Sequence, residues 1–342
     1  MTSAAEKETD NDRRNVSDAL GVVILGACAG WPLIAAIGRD ARPEGVLLAV
    51  LAVAAGYAAG RMSGSLLPVA APCAGALAGL GLAVAMPRVA PGPQFTTPLG
   101  HTGAVAALLA LATGAACCAA WATPVPALRF GLRMLAAGIT AAGAVMGSAA
   151  ACAASAVVLL CSLAAGRMRR RGPGLAGLAL AAALVTGALW AVAANVLPAG
   201  LTSALEGPLP EHRVQLWRDA LRLAHGNTAV GVGPGRFGEL SGAASGVLPP
   251  DGRPHSAPLQ QAAEQGLVGV LLLATAFCWI LYALWRSPRS TPVTLTAGAA
   301  LTVLAAVAAV GNALSFTTVS AGAGLLAGLA TAHPWVAGVS GS

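Results

Sequence analysis

Long apolar segments follow one another along almost the whole chain and constrain its fold more than any other feature. A membrane-spanning helix needs about 20 apolar residues, and a soluble domain carries about 25% charged residues. Here 56% of the 342 residues are hydrophobic and only 10% are charged. The apolar segments are residues 19–38, 46–60, 65–87, 103–122, 134–166, 174–197, 266–285, 293–311 and 313–331. The sequence therefore predicts an all-α polytopic membrane protein.

The segment 134–166 decides the predicted topology, because it is either one long helix or a hairpin of two short spans turning near Gly147. An arginine cluster follows it, formed by Arg167, Arg169, Arg170 and Arg171. Arginine is enriched in cytoplasmic loops, so with a cytoplasmic N-terminus only the hairpin places this cluster correctly, and it gives about ten spans. Both termini are then cytoplasmic. The net charge of +7 is a topology signal, and we expect no nucleic-acid partner.

This topology divides the chain into five regions. They are a disordered cytoplasmic tail at 1–18, an N-terminal transmembrane bundle of about seven spans at 19–197, an extracytoplasmic loop at 198–265, C-terminal transmembrane helices at 266–331 and a cytoplasmic tail at 332–342. Loops as long as 198–265 are usually functional or disordered in compact proteins. The Leu, Val, Trp and Phe content of this loop argues against disorder, so we expect the functional site there.

Residues 211–224 of the loop have the pattern of an amphipathic helix that Gly226 ends. Trp217 lies on its apolar face, whereas Arg218 and Arg222 share another face. Arg213 stands one turn before Trp217, at the border of the apolar face. There it is either a cation that reaches the lipid headgroups or a fixed ligand of an anion.

Two further motifs follow in the same loop. Residues 230–237 read Val-Gly-Val-Gly-Pro-Gly-Arg-Phe, which predicts a tight turn that brings backbone close to another segment. Because no strand precedes these glycines, they are not a dinucleotide-binding fingerprint. His255-Ser256 is followed, after nine residues, by Gly266 and then by Gly269 at the start of an apolar helix. The chain has no metal-ligand spacing, so we expect no metal and no cofactor.

Together these motifs resemble the O-antigen ligase and O-antigen polymerase superfamily. Arg213 and Trp217 match its Arg-x-x-x-Trp helix, and the turn Gly231-x-Gly233-x-Gly235-x-Phe237 matches its Gly-x-Gly-x-x-x-Phe pattern. The superfamily signature of His, then Asn, Ser or Gln, nine residues and Gly-x-x-Gly is matched by His255, Ser256, Gly266 and Gly269. The resemblance covers about residues 145–285.

The resemblance implies a glycosyltransferase on the outer side of the cytoplasmic membrane. Such enzymes transfer a glycan from a polyprenyl-diphosphate carrier to an acceptor hydroxyl of a glycan, lipid or wall polymer, or polymerise such glycans, in an inverting, metal-independent reaction. His255 would be the base that activates the acceptor, and Arg213 would hold the diphosphate. Imidazole is the commonest general base in enzymes, and guanidinium binds phosphate bidentately. Further substrate-binding candidates are Trp217, Arg218, Arg222, Arg236 and Arg253.

One departure from the family pattern concerns the predicted hairpin. The family often has Ser-Arg-Gly after this turn, whereas here Ser148 is followed by Ala149. Either another loop arginine substitutes, or the donor binds differently, or catalysis is lost and the chain is a scaffold of envelope polysaccharide assembly. A transporter is a third alternative. Transporters usually carry ionisable residues within their spans, and the apolar segments here hold none near their centres.

Overall fold

The computed structural model describes residues 4–89, 98–196, 211–242 and 253–333, and in these ranges every regular element is a helix. The helices are α1 (Ala4–Ala36), α2 (Glu44–Leu66), α3 (Ala70–Val89), α4 (Pro98–Ala122), α5 (Pro126–Val145), α6 (Ala149–Ala165), α7 (Arg171–Ala193), α8 (Glu211–Gly226), α9 (Phe237–Leu240), α10 (Ala257–Arg286), α11 (Thr291–Val310) and α12 (Thr317–Thr331), with a 3-10 turn at Ala313–Ser315.

Seven helices in the described ranges are long and apolar enough to cross a membrane. They contain the segments Ser17–Ala36, Glu44–Leu66, Gly103–Ala122, Pro126–Val145, Arg171–Ala193, Ala257–Arg286 and Thr291–Val310. Three shorter apolar helical segments accompany them, Ala70–Ala85, Ala149–Ala165 and Thr317–Thr331. Backbone N–H and C=O groups cannot bond to water inside a bilayer, and a helix satisfies them within itself. The chain is therefore a helical membrane protein of several spans.

The apolar segment 134–166 is divided by a turn at 146–148, where the sequence predicts it. Gly147 has φ +71°, a left-handed conformation that glycine adopts without a steric penalty. Ser148 then caps α6, because its side chain accepts a hydrogen bond from the backbone N–H of Ala151 at 3.2 Å. The first arm is longer than expected, since α5 begins at Pro126, in a first-turn position that suits proline.

The N-terminal region differs from the prediction of a disordered tail at 1–18. Residues 4–18 continue α1 as helix, and the last of them contact the bundle. The backbone oxygen of Ser17 accepts a hydrogen bond from Trp279 Nε1 at 3.1 Å. Asp18 pairs with Arg61 of α2. Polar composition alone does not exclude a helix when tertiary contacts of this kind anchor its end.

Small residues set the packing at the centre of the bundle. Residues 104–120 of α4 are almost all buried, with α3, α5, α6 and α11 packed around that helix. Between α2 and α12 the backbones approach closely through Gly56 and Gly60 on one helix and Gly324 and Gly328 on the other. Such glycines replace the bulky contacts of a soluble core, because helices in lipid associate by close packing.

Contacts between helix ends identify the two opposite ends of the bundle. At the first, which we call the site end, the loop between α1 and α2 meets the turn before α9 through a hydrogen bond from Arg42 N to Pro234 O at 2.8 Å. At the second, the arginine-rich end, Arg289 donates to the backbone oxygens of Gly64 and Ala332 at 2.6 and 2.8 Å. Arg171 donates there to Ser287 O at 2.6 Å.

We expect Gly60→Ala to destabilise the bundle. An added methyl group would lie 2.3 Å from the backbone oxygen of Leu325, so α2 and α12 would have to separate, at a cost of about 2 kcal/mol. Thermal unfolding of the purified protein measures this loss. The matched control is Gly81→Ala in α3, where an added methyl group meets nothing within 4 Å; equal midpoints for the two variants would contradict the prediction.

Candidate functional site

The first and last motifs of the loop are joined by one side-chain hydrogen bond. Trp217 of α8 is only 1% exposed, and its Nε1 donates to the backbone oxygen of Pro254 at 2.9 Å. Pro254 immediately precedes His255. Val214 and Leu221 are buried on the same side of α8, as the amphipathic pattern predicts. Trp217 is a substrate-binding candidate from the sequence; in the structure its ring lies in the core, where its bond to Pro254 O positions the histidine segment.

His255 stands in a strained segment just before α10. Its φ is +50°, a left-handed conformation that costs a non-glycine residue about 1–3 kcal/mol and is often found at functional sites. It is 7% exposed and the neighbouring Ser256 is 1% exposed. Ser256 precedes the first residue of α10, and its buried Oγ has no hydrogen-bond partner among the described residues. The buried turn therefore presents an imidazole and a hydroxyl side by side.

The loop boundary expected at 265–266 is a kink within one helical element. α10 begins at Ala257, nine residues earlier than the predicted span, and is interrupted at Gly266, which has φ +67°. A methyl group on Gly266 would lie 2.5 Å from the backbone carbonyl of Ala229. The released amide of Leu267 donates to Thr228 O at 2.8 Å. Gly266 thus allows the backbone before Gly231 to fill the kink.

Gly231 makes the reciprocal approach from the glycine-rich turn. It has φ +69°, and a methyl group there would lie 2.4 Å from the carbonyl carbon of Glu264. The following amides pair with the same segment: Val232 N donates to Ala263 O and Gly233 N to Glu264 O, each at 2.9 Å. The prediction of a turn that approaches other backbone is confirmed, and the partner is the segment that carries His255.

The side chain of Glu264 also binds the glycine-rich turn. It is 3% exposed, and its carboxylate accepts hydrogen bonds from the backbone N–H groups of Gly235 and Phe237. Gln260 Nε2 donates to Glu264 Oε2 at 3.3 Å. By position in the sequence, Glu264 suits the start of its own span; the structure shows that it instead binds the turn that leads into α9. Only the tertiary approach of the two segments reveals this.

The loop between α1 and α2 contributes two arginines that belong to none of the sequence motifs. The Cδ atom of Arg39 and the Cβ atom of Arg42 lie 3.3 and 3.2 Å from where methyl groups on Gly233 and Gly235 would stand. Arg236 contacts the Gly233 position as well, with its Cδ at 3.4 Å. The sequence feature that could have identified these arginines is the polar segment 38–45 between two apolar segments. The predicted topology puts this segment on the same side of the membrane as the long loop.

Arg213 is half-buried at the site end, and burial lowers the pKa of its guanidinium. Its Nη1 donates to the backbone oxygen of Val310, the last residue of α11, at 3.1 Å. A cation is favourable at the C-terminal end of a helix, where the carbonyls leave partial negative charge. Arg213 is therefore fixed by the protein, one helical turn or about 6 Å from Trp217 along α8.

The other predicted arginines fall into two groups. Arg218 and Arg222 lie on the exposed face of α8. Arg222 pairs with Asp219, whose carboxylate also accepts a hydrogen bond from Ser241 Oγ at 2.8 Å.

Arg236 lies beside the glycine-rich turn, and its Nε is 3.7 Å from a carboxylate oxygen of Glu239. The positive charge of Arg253 acts on Glu264. Arg236 and Arg253 thus lie beside the glycine-rich turn and Glu264, whereas Arg218 and Arg222 lie on the exposed face of α8.

Phe237 is fully buried and begins α9. Gly269 packs close against its own helix, where a methyl group would lie 2.4 Å from the Cβ of Gln265. Ala149, which stands where the sequence resemblance implies an arginine, is the first residue of α6 and is exposed. Within the described ranges no group of three or more His, Cys, Asp or Glu side chains is placed to hold a metal ion.

Comparison with known proteins adds no relative. No family model matches the chain, and no curated protein or solved structure matches it. The motifs and the geometry described above are therefore what bears on function.

We expect Gly231→Ala to loosen the contact between the glycine-rich turn and α10. The added methyl group would collide with the Glu264 backbone, and the left-handed φ would add about 1–2 kcal/mol of strain. Hydrogen exchange followed by mass spectrometry should then show faster exchange of the amides of Val232, Gly233 and Leu267. Gly226→Ala is the control, because a methyl group there meets nothing within 4 Å; similar exchange in the two variants would refute the role assigned to Gly231.

Proposed function

We propose that this chain is a membrane glycosyltransferase of the O-antigen ligase type. It transfers a glycan from a polyprenyl-diphosphate carrier to an acceptor hydroxyl, or polymerises such glycans. The observation that carries the proposal is the joining of three motifs that are distant in sequence. Trp217 is bonded to Pro254 at 2.9 Å, and the amide of Gly233 is bonded to Glu264 O at 2.9 Å.

The proposed chemistry is a single displacement at the anomeric carbon of the donor. His255 takes the proton of the acceptor hydroxyl as the new C–O bond forms, and the bond from the anomeric carbon to the diphosphate oxygen breaks. Negative charge gathers on the departing diphosphate, so a fixed cation stabilises the transition state more than the ground state. Arg213 is oriented for this role by its bond to Val310 O, which leaves other guanidinium N–H groups for an anion.

The donor's polyprenyl chain requires a site at the edge of the membrane. The positions of His255 and Arg213 support the proposal on this point, because His255 lies just before α10 and Arg213 is bonded to the last residue of α11. The proposal includes about ten crossings, the seven long helices and the three shorter apolar ones, with both termini in the cytoplasm. The arginine-rich end then faces the cytoplasm, in agreement with the positive-inside rule, and the site end faces outward.

Labelling of introduced cysteines tests this orientation. Asn227 is exposed at the site end and Arg169 is exposed at the arginine-rich end. We expect a membrane-impermeant maleimide to label Asn227→Cys in intact cells and Arg169→Cys only after permeabilisation. The unsubstituted chain measures the background from its own cysteines, all of which lie within apolar helices. Labelling in the reverse pattern would invert the proposed topology.

An inactive scaffold of envelope polysaccharide assembly is the second candidate. The observation that favours it is Ala149 at the start of α6, where the family often has a phosphate-binding arginine. Arg236, Arg39 and Arg42 around the glycine-rich turn are the cations that an active enzyme would use instead. The two candidates differ in whether the chain needs His255 for its action.

Transfer by the purified protein in lipid from a polyprenyl-diphosphate glycan separates these candidates. For an enzyme we expect His255→Ala to reduce the rate by about 10²–10⁴-fold, the usual contribution of a general base. We expect Arg213→Ala to reduce it by about 10²–10³-fold, the usual effect of losing one transition-state donor.

His225→Ala is the matched control, because His225 is exposed on the same loop and bonded to its own helix at Leu221 O. Equal transfer by all four proteins would remove the proposed site. No transfer by the unsubstituted protein with several donors would favour the scaffold. Retained thermal unfolding midpoints establish that a loss of transfer is not a loss of fold.

A further inference from the structure

A cavity of about 130 Å³ lies at the arginine-rich end of the bundle, at the opposite end from the candidate site. Residues of α1, α2, α10 and α12 surround it, together with the segments that follow α10 and α12. Its polar lining includes Ser17, Asp18, Tyr57, Arg61, Arg286 and His333. A volume of this size accommodates several water molecules, and therefore also a phosphate group.

Arg61 is held rigidly in the cavity wall. Its Nη1 and Nη2 donate to the two carboxylate oxygens of Asp18 at 3.0 and 3.1 Å, and Nη1 also donates to Tyr57 Oη at 3.2 Å. This bidentate pair balances the charge of Arg61. Two arginines and one aspartate still leave the lining with a net charge of +1 when His333 is counted as neutral.

The backbone carbonyls at the ends of the surrounding helices accept hydrogen bonds from residues other than Arg286. Arg289 satisfies Gly64 O and Ala332 O, Arg171 satisfies Ser287 O, and Ser287 Oγ donates to Ala330 O at 2.7 Å. The exposed Arg286 forms no hydrogen bond or ion pair with the residues that the structure describes. Its charge is therefore available to an anion from outside the protein.

Aromatic residues indicate the depth of the cavity in the membrane. The rings of Tyr57 and Trp279 pack against each other with centroids 5.3 Å apart, and the Trp279 indole is bonded to Ser17 O. Tyr282 and Trp285 form a second tilted pair at 6.0 Å. Tyr282 and Trp285 are exposed on the outside of the bundle, and exposed tyrosine and tryptophan concentrate where lipid headgroups meet the apolar layer. Ala283 and Arg286 of the same helix turn line the cavity, so we place the cavity at the level of the headgroups.

We propose that this cavity binds the phosphate group of an anionic membrane lipid, with Arg286 as its main ligand and Arg61 as an oriented second ligand. The chemistry recognised is a phosphate ester with a negative charge at the headgroup level. Basic pockets between membrane helices on the cytoplasmic side bind such headgroups. This inference is independent of the glycan-transfer activity, because the cavity and the candidate site lie at opposite ends of the bundle.

The test measures how phosphatidylglycerol shifts the thermal unfolding midpoint of the full chain in phosphatidylcholine nanodiscs. We expect a midpoint that rises with the phosphatidylglycerol fraction. In Arg286→Gln the fraction needed for half of that rise should be about tenfold higher, because one charge-assisted interaction is lost. Arg169→Gln is the matched control, since Arg169 is exposed at the same end, carries the same charge and does not line the cavity.

A second variant changes the response in the opposite direction. Asp18→Asn removes the carboxylate that balances Arg61, so the half-maximal fraction of phosphatidylglycerol should fall even though an ion pair is lost. A purely structural Arg61–Asp18 pair would lower the midpoint and leave the lipid response unchanged, which would refute the role of Arg61. Equal responses of Arg286→Gln and Arg169→Gln would overturn the site. A shift of the same size produced by inorganic phosphate alone would overturn its assignment to a lipid.

Discussion

The backbone contact between the glycine-rich turn and the kinked start of α10 is the interaction on which the site depends. Gly231 and Gly266 each stand at a positive φ, and each lies where a methyl group would collide with the opposite backbone. Because neither residue carries a side chain, the amides of Val232 and Gly233 reach the carbonyls of Ala263 and Glu264. Non-helical backbone beside an apolar helix is thereby satisfied within the protein.

The two ends of the bundle use arginine in different ways. At the arginine-rich end, Arg171 and Arg289 donate to backbone carbonyls and tie helix ends together, while Arg286 remains available at a cavity. At the site end, Arg213 is bonded to the last carbonyl of α11. Its guanidinium is thus both a structural cap and the proposed diphosphate ligand, roles that are compatible because guanidinium has five N–H donors.

Several features were predictable from residue pattern alone. Segment length and hydropathy predict the apolar helices, and the division at 146–148 follows from the positive-inside argument together with Gly147 and Ser148. The periodicity of 211–224 predicts α8 and its buried face. Pattern was not sufficient at residues 4–18, which continue α1 as helix, or at the start of α10, which precedes the expected span by nine residues. At the start of α10 the contacts with the glycine-rich turn override local polarity, and in residues 4–18 the described contacts are those of Ser17 and Asp18 at the end of the segment.

The sequence by itself determined the helical membrane architecture, because an apolar solvent leaves a chain of this composition few other ways to satisfy its backbone. The glycine spacing and the His-Ser pair likewise identify the candidate motifs without any structure. Only the tertiary structure decided that Trp217 is a buried anchor of Pro254, that Glu264 binds the turn before α9, and that Arg39 and Arg42 lie beside Gly233 and Gly235. These contacts join residues far apart in the chain, and local periodicity contains no information about such pairings.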